Sequence, residues 1–275
     1  MSLLYHLVPN WRSSTPPSIS PPPAELALGP PRQRLLTQAL LKAKRGAQST
    51  EDLRLDLPPP GEVRMRNLVH RGAQRPVFKT TSVKLRRVVQ CESALEHEAA
   101  LILDVSPVVQ AFAEQPVRIH YRTEDSWRSH IPDFVVLVAD RLTFVEIKFE
   151  KDADAEVGDR TRLLEAQLGV LGAGYCLLTE RHLRQGDHVQ SALRVLRRAR
   201  HAISEAQLLA TLEKLRTVDR LPLAAFGWSI ANSQEAVGIA RLIMSGHAAI
   251  DSQGLLSDRS CVWLAPAAAS SGDAA

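Results

Sequence analysis

The chain has 275 residues, of which 45% are hydrophobic, and its formal net charge at pH 7 is +4. A chain of this length can bury one or two cores, and a mildly basic charge permits a nucleic-acid partner without requiring one. No apolar run of about 18 residues is present and the first twenty residues lack the features of a secretory signal, so we expect a cytoplasmic protein without a membrane span. The cysteines lack the spacing of a zinc site or a disulfide framework and are expected to be core thiols: Cys91, Cys176 and Cys261.

Residues 1–60 are predicted to form a proline-rich arm that is largely disordered. Eleven of the 17 prolines lie there, in clusters such as PPSISPPP and DLPPPGE, and proline at this density disfavours regular structure. Within the arm, PRQRLLTQALLKAKRG places apolar residues at helical spacing among basic ones, which predicts a basic amphipathic helix. Such a helix could dock on a partner or on DNA, or it could be a solvated helix in a linker.

The most basic segment of the sequence is residues 61–90. Its eight cations are opposed by a single acid, Glu62, and they are Arg64, Arg66, Arg71, Arg75, Lys79, Lys84, Arg86 and Arg87. Such a segment would attract the DNA backbone, although a solvated surface could have the same composition. Because the segment leads directly into the candidate catalytic region, we favour DNA and predict contacts for Lys84, Arg86 and Arg87.

Regular elements begin at residue 93 and predict an α/β domain over residues 61–185. The stretch SALEHEAALILDV has helical periodicity, and QPVRIHYR alternates as a strand does. Two further strands, DFVVLVA and LTFVEIKF, are joined by a turn at Asp140 and Arg141, and the helix DRTRLLEAQLGVLG leads into the strand YCLLTE. The order α, β, β, β, α, β predicts a mixed sheet flanked by helices.

Residues 186–265 are predicted to form a small winged-helix-like domain, followed by a disordered tail at 266–275. Helices are expected at HVQSALRVLRRAR, SEAQLLATLEKLR and QEAVGIARLIMSG, and the second begins at Ser204 with Gln207 placed for a capping box. The stretch AAIDSQGLLSDRSCVWLA indicates a β-hairpin. Because the third helix has Arg241 as its only cation, we favour partner binding over base-specific DNA reading for this domain.

Three charged residues in the predicted hairpin suggest a catalytic site. Glu146 and Lys148 are two residues apart in one strand, so they point to the same side, and pairing of the two strands brings Asp133 beside them. Two converging carboxylates repel each other unless a proton or a cation lies between them, and oxygen ligands suit Mg²⁺ or Mn²⁺. A lysine next to such an ion could orient or deprotonate a water, or hold a phosphate, which is the equipment for phosphodiester hydrolysis. A surface salt bridge is the alternative interpretation of Glu146 and Lys148.

Here the sequence resembles the PD-(D/E)xK nuclease superfamily. It is similar to one branch of that superfamily, the TnsA-type endonuclease subunits of heteromeric transposases. The motifs of the branch stand in this chain as ESALE, LDVSPVVQAFAEQPVRIHY, HIPDF and VEIKF, and the resemblance covers about residues 64–200. It implies a restriction-endonuclease-like fold.

The resemblance implies a role for several residues. Glu96 corresponds to a helical acid, Asp133 to the central metal ligand, Glu146 to the second strand acid, and Lys148 to the catalytic lysine. The implied metal ligands are Glu96, Asp133, Glu146 and the strand position Ile147. Gln115 corresponds to a structural or DNA-proximal position. His130, just before Pro132 and Asp133, could contact the scissile phosphate, although a lone histidine at the start of a strand is more often a surface residue. Glu96 has an alternative role, because Ser93 and Glu96 also have the spacing of a capping box.

The function implied by the resemblance is Mg²⁺-dependent cleavage of the 5′ ends of a mobile element, with Mn²⁺ able to replace Mg²⁺. The implied partners are double-stranded DNA at the element ends, a DDE-type transposase and an AAA+ regulator, in the bacterial cytoplasm and at the nucleoid during activity. Two alternatives stay open. One is a PD-(D/E)xK nuclease for restriction or junction cleavage, and the other is a non-enzymatic adaptor that bridges DNA and partners.

Overall fold

The computed structural model describes residues 32–60, 62–65, 77–251 and 254–265. The described chain divides into two compact units. The first contains residues 32–104 and 109–185, and the second contains residues 105–108 and 186–265. The division between Gln185 and Gly186 lies where the sequence predicted a domain boundary. Within the described ranges, no helix combines the length and the apolar character that a membrane crossing requires.

The first unit combines helices with three sheets, so the protein is an α/β protein, as predicted. Its helices are α1 (Arg32–Ala47), α2 (Ala94–Val105), α3 (Ala155–Gly169) and α4 (Glu180–Leu183), with a 3-10 turn at Glu150–Asp152. Its strands are β1 (Leu53–Asp56), β2 (Phe78–Ser82), β3 (Arg87–Cys91), β4 (Ala111–Glu114), β5 (Arg118–Arg122), β6 (Trp127–His130), β7 (Phe134–Val138), β8 (Arg141–Ile147) and β9 (Gly174–Leu178).

The central sheet of this unit has the strand order β4-β7-β8-β9. Strands β7 and β8 are antiparallel, with Phe134 opposite Val145, whereas β8 and β9 are parallel and α3 makes the crossover between them. Both strands of the hairpin are buried on their two faces, which explains their nearly continuous apolar sequences. The hairpin turn consists of Ala139 and Asp140, which have φ angles of 46° and 60°, so the turn lies one residue before the predicted position.

The first strand of the central sheet differs from the prediction. The predicted strand QPVRIHYR contains β5, but β5 pairs with β1 and β6 in a separate sheet. The central sheet instead begins with β4, whose four residues are all buried. Because β4 is buried on both faces, its sequence AFAE lacks the alternation by which β5 was recognised.

Part of the predicted arm belongs to the first unit. Residues 32–56 form α1 and β1, and β1 pairs antiparallel with β5. Helix α1 packs against β1 and β4 through its apolar face, which consists of Leu36, Leu40, Ala43 and Ala47. The amphipathic helix is therefore a docked element of the fold and not a helix in an extended arm. The remainder of the arm, residues 1–31, lies outside the described residues, as does the tail at 266–275.

The second unit contains helices and one small sheet. Its elements are α5 (His188–Ala199), α6 (Glu205–Arg216), β10 (Leu221–Pro222), a 3-10 turn (Leu223–Phe226), α7 (Gln234–Ser245), β11 (Ala248–Asp251) and β12 (Cys261–Leu264). Strands β11 and β12 form the predicted hairpin, and β10, which was not predicted, pairs with the other side of β12. Ser204 and Gln207 form the predicted capping box at the start of α6.

Candidate active site

Asp133 lies immediately before β7 and points toward the end of β8. Its Oδ2 accepts a hydrogen bond of 2.7 Å from the N–H of Ile147, and its carbonyl oxygen accepts one of 2.8 Å from the N–H of Gln115. Burial raises the pKa of Asp133 well above its usual range, and the negative charges of Glu146 and Glu96 add to this effect. The strand pairing therefore brings Asp133 to Glu146–Lys148, as the sequence predicted.

The side chain of Glu146 is only 2% exposed, but nitrogen atoms of three other side chains surround its carboxylate. Its oxygens lie 2.7 Å from Nε2 of His130, 3.1 Å from Nζ of Lys148 and 3.4 Å from Nη2 of Arg160. Burial opposes its ionisation, but the hydrogen bonds and charges of His130 and Lys148 outweigh burial, so the pKa of Glu146 is lowered. Glu146 is thus held as an anion among cationic donors.

Lys148 is the most exposed member of the set, with 37% of its side chain accessible. Burial lowers its pKa, yet the negative charges of Glu146 and Asp133 have the larger combined effect and raise it. The side chain is consequently an ammonium that lies beside the two carboxylates. In this state it can attract a phosphate or orient a water, but it cannot accept a proton.

Glu96, in the first turn of α2, takes part in the helix cap. One of its oxygens accepts from the hydroxyl of Ser93 at 2.8 Å, and the other accepts from the N–H of Glu92 at 2.8 Å. In a capping box that begins at Ser93, the Glu96 side chain would accept from the N–H of Ser93. The observed donor is instead the N–H of Glu92, one residue earlier. Burial raises the pKa of Glu96, and Lys148 opposes this rise. The negative charge of Glu96 also contributes to the raised pKa of Asp133, so the cap residue and the strand acid interact electrostatically.

The oxygen donors of the site match a hard divalent cation in kind. Three carboxylates influence one another electrostatically, and Ile147 can contribute only main-chain atoms. Among the residues that the structure describes, no three His, Cys, Asp or Glu side chains are grouped so as to hold a metal ion. Asp133 is nevertheless a partly buried carboxylate on which two like charges act, and a cation such as Mg²⁺ or Mn²⁺ would relieve that repulsion.

The predicted DNA-binding residues of the basic segment have different environments. Lys84 is buried, its Nζ donates to the carbonyl of Leu103 at 3.0 Å, and burial lowers its pKa well below the usual range. Arg87 makes two hydrogen bonds of 2.7 Å to the buried carboxylate of Glu114. Only Arg86 is exposed, in a turn with a φ angle of 55°. The placement of Lys84 and Arg87 inside the fold argues against their predicted phosphate contacts.

Gln115 and His130 are placed at the site by hydrogen bonds to its acids. The side chain of Gln115 is buried and donates to Glu92 at 2.6 Å, while its N–H binds the carbonyl of Asp133, so it links the start of α2 to the site. This geometry favours the structural alternative for Gln115. His130 is mostly buried and its Nε2 lies 2.7 Å from Glu146, so it is a neighbour of the candidate acid and not an exposed surface residue.

Two further residues at the site, Arg160 and Tyr175, belong to no motif of the sequence. Arg160, in α3, contacts Glu146, and the ring of Tyr175, in β9, meets the ring of His130 edge-on at a centroid distance of 6.2 Å. Burial raises the pKa of Tyr175 further above its already high ordinary value. For Arg160, the position of its helix is the one feature that points to the site, because a helix that connects β8 to a parallel strand begins near the end of β8.

Comparison with known proteins adds no further assignment. No protein-family model matches this chain, and no curated protein matches it either.

Proposed function

We propose that this protein is a metal-dependent DNA endonuclease of the TnsA type, which cuts the 5′ ends of a mobile element. The observation that supports the proposal most strongly is the hydrogen bond from the N–H of Ile147 to Asp133. It brings the Asp133 carboxylate to the main chain of Ile147, between Glu146 and Lys148 in the sequence, and the charge of a helical acid, Glu96, acts on the same carboxylate. This is the residue set that the resemblance implies.

The arrangement of elements also supports a restriction-endonuclease-like fold. Helix α2 is followed by the strands of a four-stranded sheet, and the last two strands of that sheet are parallel and connected by α3. The active residues lie on α2 and on the facing ends of β7 and β8. A rigid sheet of this kind can fix side chains from separate parts of the chain with respect to one another.

The second unit supports the proposal of a winged-helix-like domain. The order α6, β10, 3-10 turn, α7, β11, β12 places a helix between two strands and ends on a hairpin. The sheet order β10-β12-β11 places the first strand beside the last.

In the proposed reaction, the residues of the chain position the phosphodiester and a water. A bound Mg²⁺, or Mn²⁺, would be held by Asp133 with Glu146, Glu96 and the main chain of Ile147, and would supply charge stabilisation and a more acidic water. Asp133 is fixed for this role by the N–H of Ile147, and Glu146 by His130 and Arg160. Lys148, as an ammonium, would attract a nonbridging phosphate oxygen or orient the attacking water.

The proposed partners follow from the resemblance and not from the geometry. They are double-stranded DNA at the element ends, a DDE-type transposase that cuts the 3′ ends, and an AAA+ regulator, acting together in the cytoplasm. A nuclease for restriction or junction cleavage is the second candidate, because it would have the same residue set. The intact set of acids and the lysine disfavours a purely bridging adaptor.

A reconstituted excision assay tests this proposal. Purified protein and the cognate transposase are incubated with Mg²⁺ and a duplex that contains an element end, and the cut strand is mapped. We expect 5′-end breaks that require both proteins and disappear with Asp133→Ala. Efficient cutting of random duplex by the protein alone would instead support the restriction-like candidate, and cutting that survives Asp133→Ala would refute the site.

A further inference from the structure

Helix α7, which would be the DNA-reading helix of the proposed winged-helix-like domain, is too buried to read DNA. Eight of its twelve residues are buried: Ala236, Val237, Gly238, Ile239, Ala240, Leu242, Ile243 and Met244. Its one cation, Arg241, is partly buried, and its guanidinium lies 3.4 Å from the carbonyl of His201. A helix that enters the major groove must present several side chains to base edges. Any contact of this unit with DNA therefore involves another surface.

Helix α5 has a suitable surface on its solvent side. One side of the helix is packed into the unit through Ser191, Ala192, Val195, Leu196 and Ala199. The opposite side presents three arginines, Arg194, Arg197 and Arg198. Arg197 and Arg198 lie three and four residues after Arg194, so the side chains of both are neighbours of the Arg194 side chain. Arg194 and Arg197 are exposed and Arg198 is partly exposed. We call these three residues the arginine face.

In the part of the chain that the structure describes, no acid lies at ion-pair distance from the arginine face. Three other cations of the unit form ion pairs with carboxylates: Lys214 with Glu235, Arg216 with Glu213 and Arg220 with Asp251. Among the described residues, by contrast, none of the three arginines of the face forms an ion pair with a carboxylate. Burial, and then the charges of its two arginine neighbours, lower the pKa of Arg198, and Asp258 only partly opposes them. The face is therefore a cluster of mutually repelling positive charges.

Two of the three guanidinium groups are held in place by the fold. Arg194 donates to the carbonyl of Leu256, and Arg198 donates to the carbonyl of Trp228 while its guanidinium lies 3.8 Å from the centre of the Trp228 ring. Carbonyl and ring contacts orient a guanidinium without neutralising its charge. The attraction of cations to the C-terminal end of a helix accounts for Arg197 and Arg198, but Arg194 lies a full turn earlier.

We propose that the arginine face of α5 binds the phosphate backbone of duplex DNA. A row of three unneutralised guanidinium groups, two of them oriented by the fold, is complementary to closely spaced phosphates, and arginine forms paired hydrogen bonds with phosphate oxygens. The choice of DNA as the polyanion rests on the proposed function. The contact would be independent of sequence, which agrees with the burial of α7. It assigns the second unit a DNA-holding role through its first helix.

The test is the salt dependence of DNA binding by the full-length protein in EDTA, where no cleavage occurs. Dissociation constants for a labelled random duplex are measured over a series of KCl concentrations for the variant Arg194→Gln/Arg197→Gln. Glutamine keeps an N–H donor for the Leu256 carbonyl. Each lost phosphate contact should reduce the log–log slope by about 0.9, so we expect binding to weaken and the slope to fall by about 1.8.

The matched control is Arg216→Gln/Arg220→Gln, which removes the same charge from ion-paired residues of the same unit. It should leave the slope nearly unchanged. A third variant, Arg197→Gln alone, should reduce the slope by about 0.9 and guards against misfolding of the double variant, because the Arg197 side chain has no hydrogen bond within the described structure. An unchanged slope for Arg194→Gln/Arg197→Gln, or an equal fall in the control, would overturn the inference.

The outcome is separable from that of the proposed function. If the slope is unchanged but Mg²⁺-dependent cleavage is observed, the arginine face does not bind DNA and the function stands. If the slope falls as expected but no cleavage is ever observed, the DNA contact stands and the nuclease proposal fails. Binding of the face to an acidic protein instead would leave the DNA slope of the variant equal to that of the wild type, which also contradicts the inference.

Discussion

Replacing Asp133 by asparagine should stabilise the protein in the absence of metal. Asp133 is a partly buried carboxylate whose pKa is raised by desolvation and by the charges of Glu146 and Glu96, so its ionised form destabilises the folded state at neutral pH. The amide of asparagine removes the negative charge. It also keeps an oxygen that can accept the hydrogen bond from the N–H of Ile147.

The size of the gain follows from the strand pairing. Asp133 precedes the facing pair Phe134 and Val145, so it lies across from Glu146, and facing residues have Cβ atoms about 5 Å apart. Two unit charges about 6 Å apart repel by roughly 3 kcal/mol at an effective dielectric constant near 20. Attraction to Lys148 offsets part of this repulsion. We therefore expect Asp133→Asn to increase the free energy of unfolding in EDTA by about 1–2 kcal/mol, within the range common for such substitutions.

Thermal and urea denaturation with and without Mg²⁺ measure this effect. A gain of about 1 kcal/mol corresponds to a rise in Tm of roughly 2–4 °C. Magnesium at about ten times its Kd should stabilise the wild type by about 1.4 kcal/mol and should stabilise Asp133→Asn much less. The control is Asp159→Asn, since Asp159 is exposed and lies outside the cluster. The reasoning is refuted if Asp133→Asn melts at or below the wild-type temperature in EDTA, or gains as much from Mg²⁺ as the wild type does.

Three further substitutions test other contacts. Glu96→Gln should keep the helix cap, so that stability falls by well under about 1 kcal/mol, but it should severely reduce Mg²⁺-dependent cleavage. Ser93→Ala should do the reverse, lowering stability and sparing most of the activity. If Glu96→Gln cuts at the wild-type rate, Glu96 is only a helix cap. Arg87→Ala should lower the free energy of unfolding, measured by urea denaturation, by about 3–5 kcal/mol, because it leaves the carboxylate of Glu114 buried without its main partner. A loss below about 1 kcal/mol would show that Arg87 is a surface cation. Gly238→Ala should lower the free energy of unfolding by about 1–3 kcal/mol, because the new Cβ would lie 3.0 Å from Cβ of Thr211 and closer still to the Thr211 hydroxyl. An unchanged denaturation curve would mean that α6 and α7 can separate freely.

The sequence predicted the residues whose neighbours are set by local geometry. The two-residue period of a strand puts Glu146 and Lys148 on one side. A short hairpin turn fixes which residue lies opposite each position, so the sequence predicted that Asp133 lies beside Glu146 and Lys148. The capping box at Ser204 was predictable for the same reason, since both of its residues lie in one turn.

Contacts between distant segments were not predictable in this way. Lys84 and Arg87 belong to a sequence with few acids, but their partners are the carbonyl of Leu103 and the carboxylate of Glu114, which the fold brings to them from elsewhere. Local charge density therefore suggested a DNA-binding surface where the fold places interior ion pairs and hydrogen bonds. The docking of α1 was missed because its proline-rich surroundings indicate an extended chain and give no information on what its apolar face meets.

The central claim is that the cluster around Lys148 hydrolyses a phosphodiester bond, and single-turnover cleavage by Lys148→Ala tests it most directly. The variant is assembled with the cognate transposase on an end-labelled duplex in Mg²⁺ and compared with Lys151→Ala, which removes an exposed lysine three residues further along the chain. The account predicts that Lys148→Ala loses cleavage by a factor of at least about 100 while Mg²⁺ still stabilises the protein against thermal denaturation, and that Lys151→Ala cuts at the wild-type rate. Cleavage by Lys148→Ala at the rate of Lys151→Ala would contradict the account.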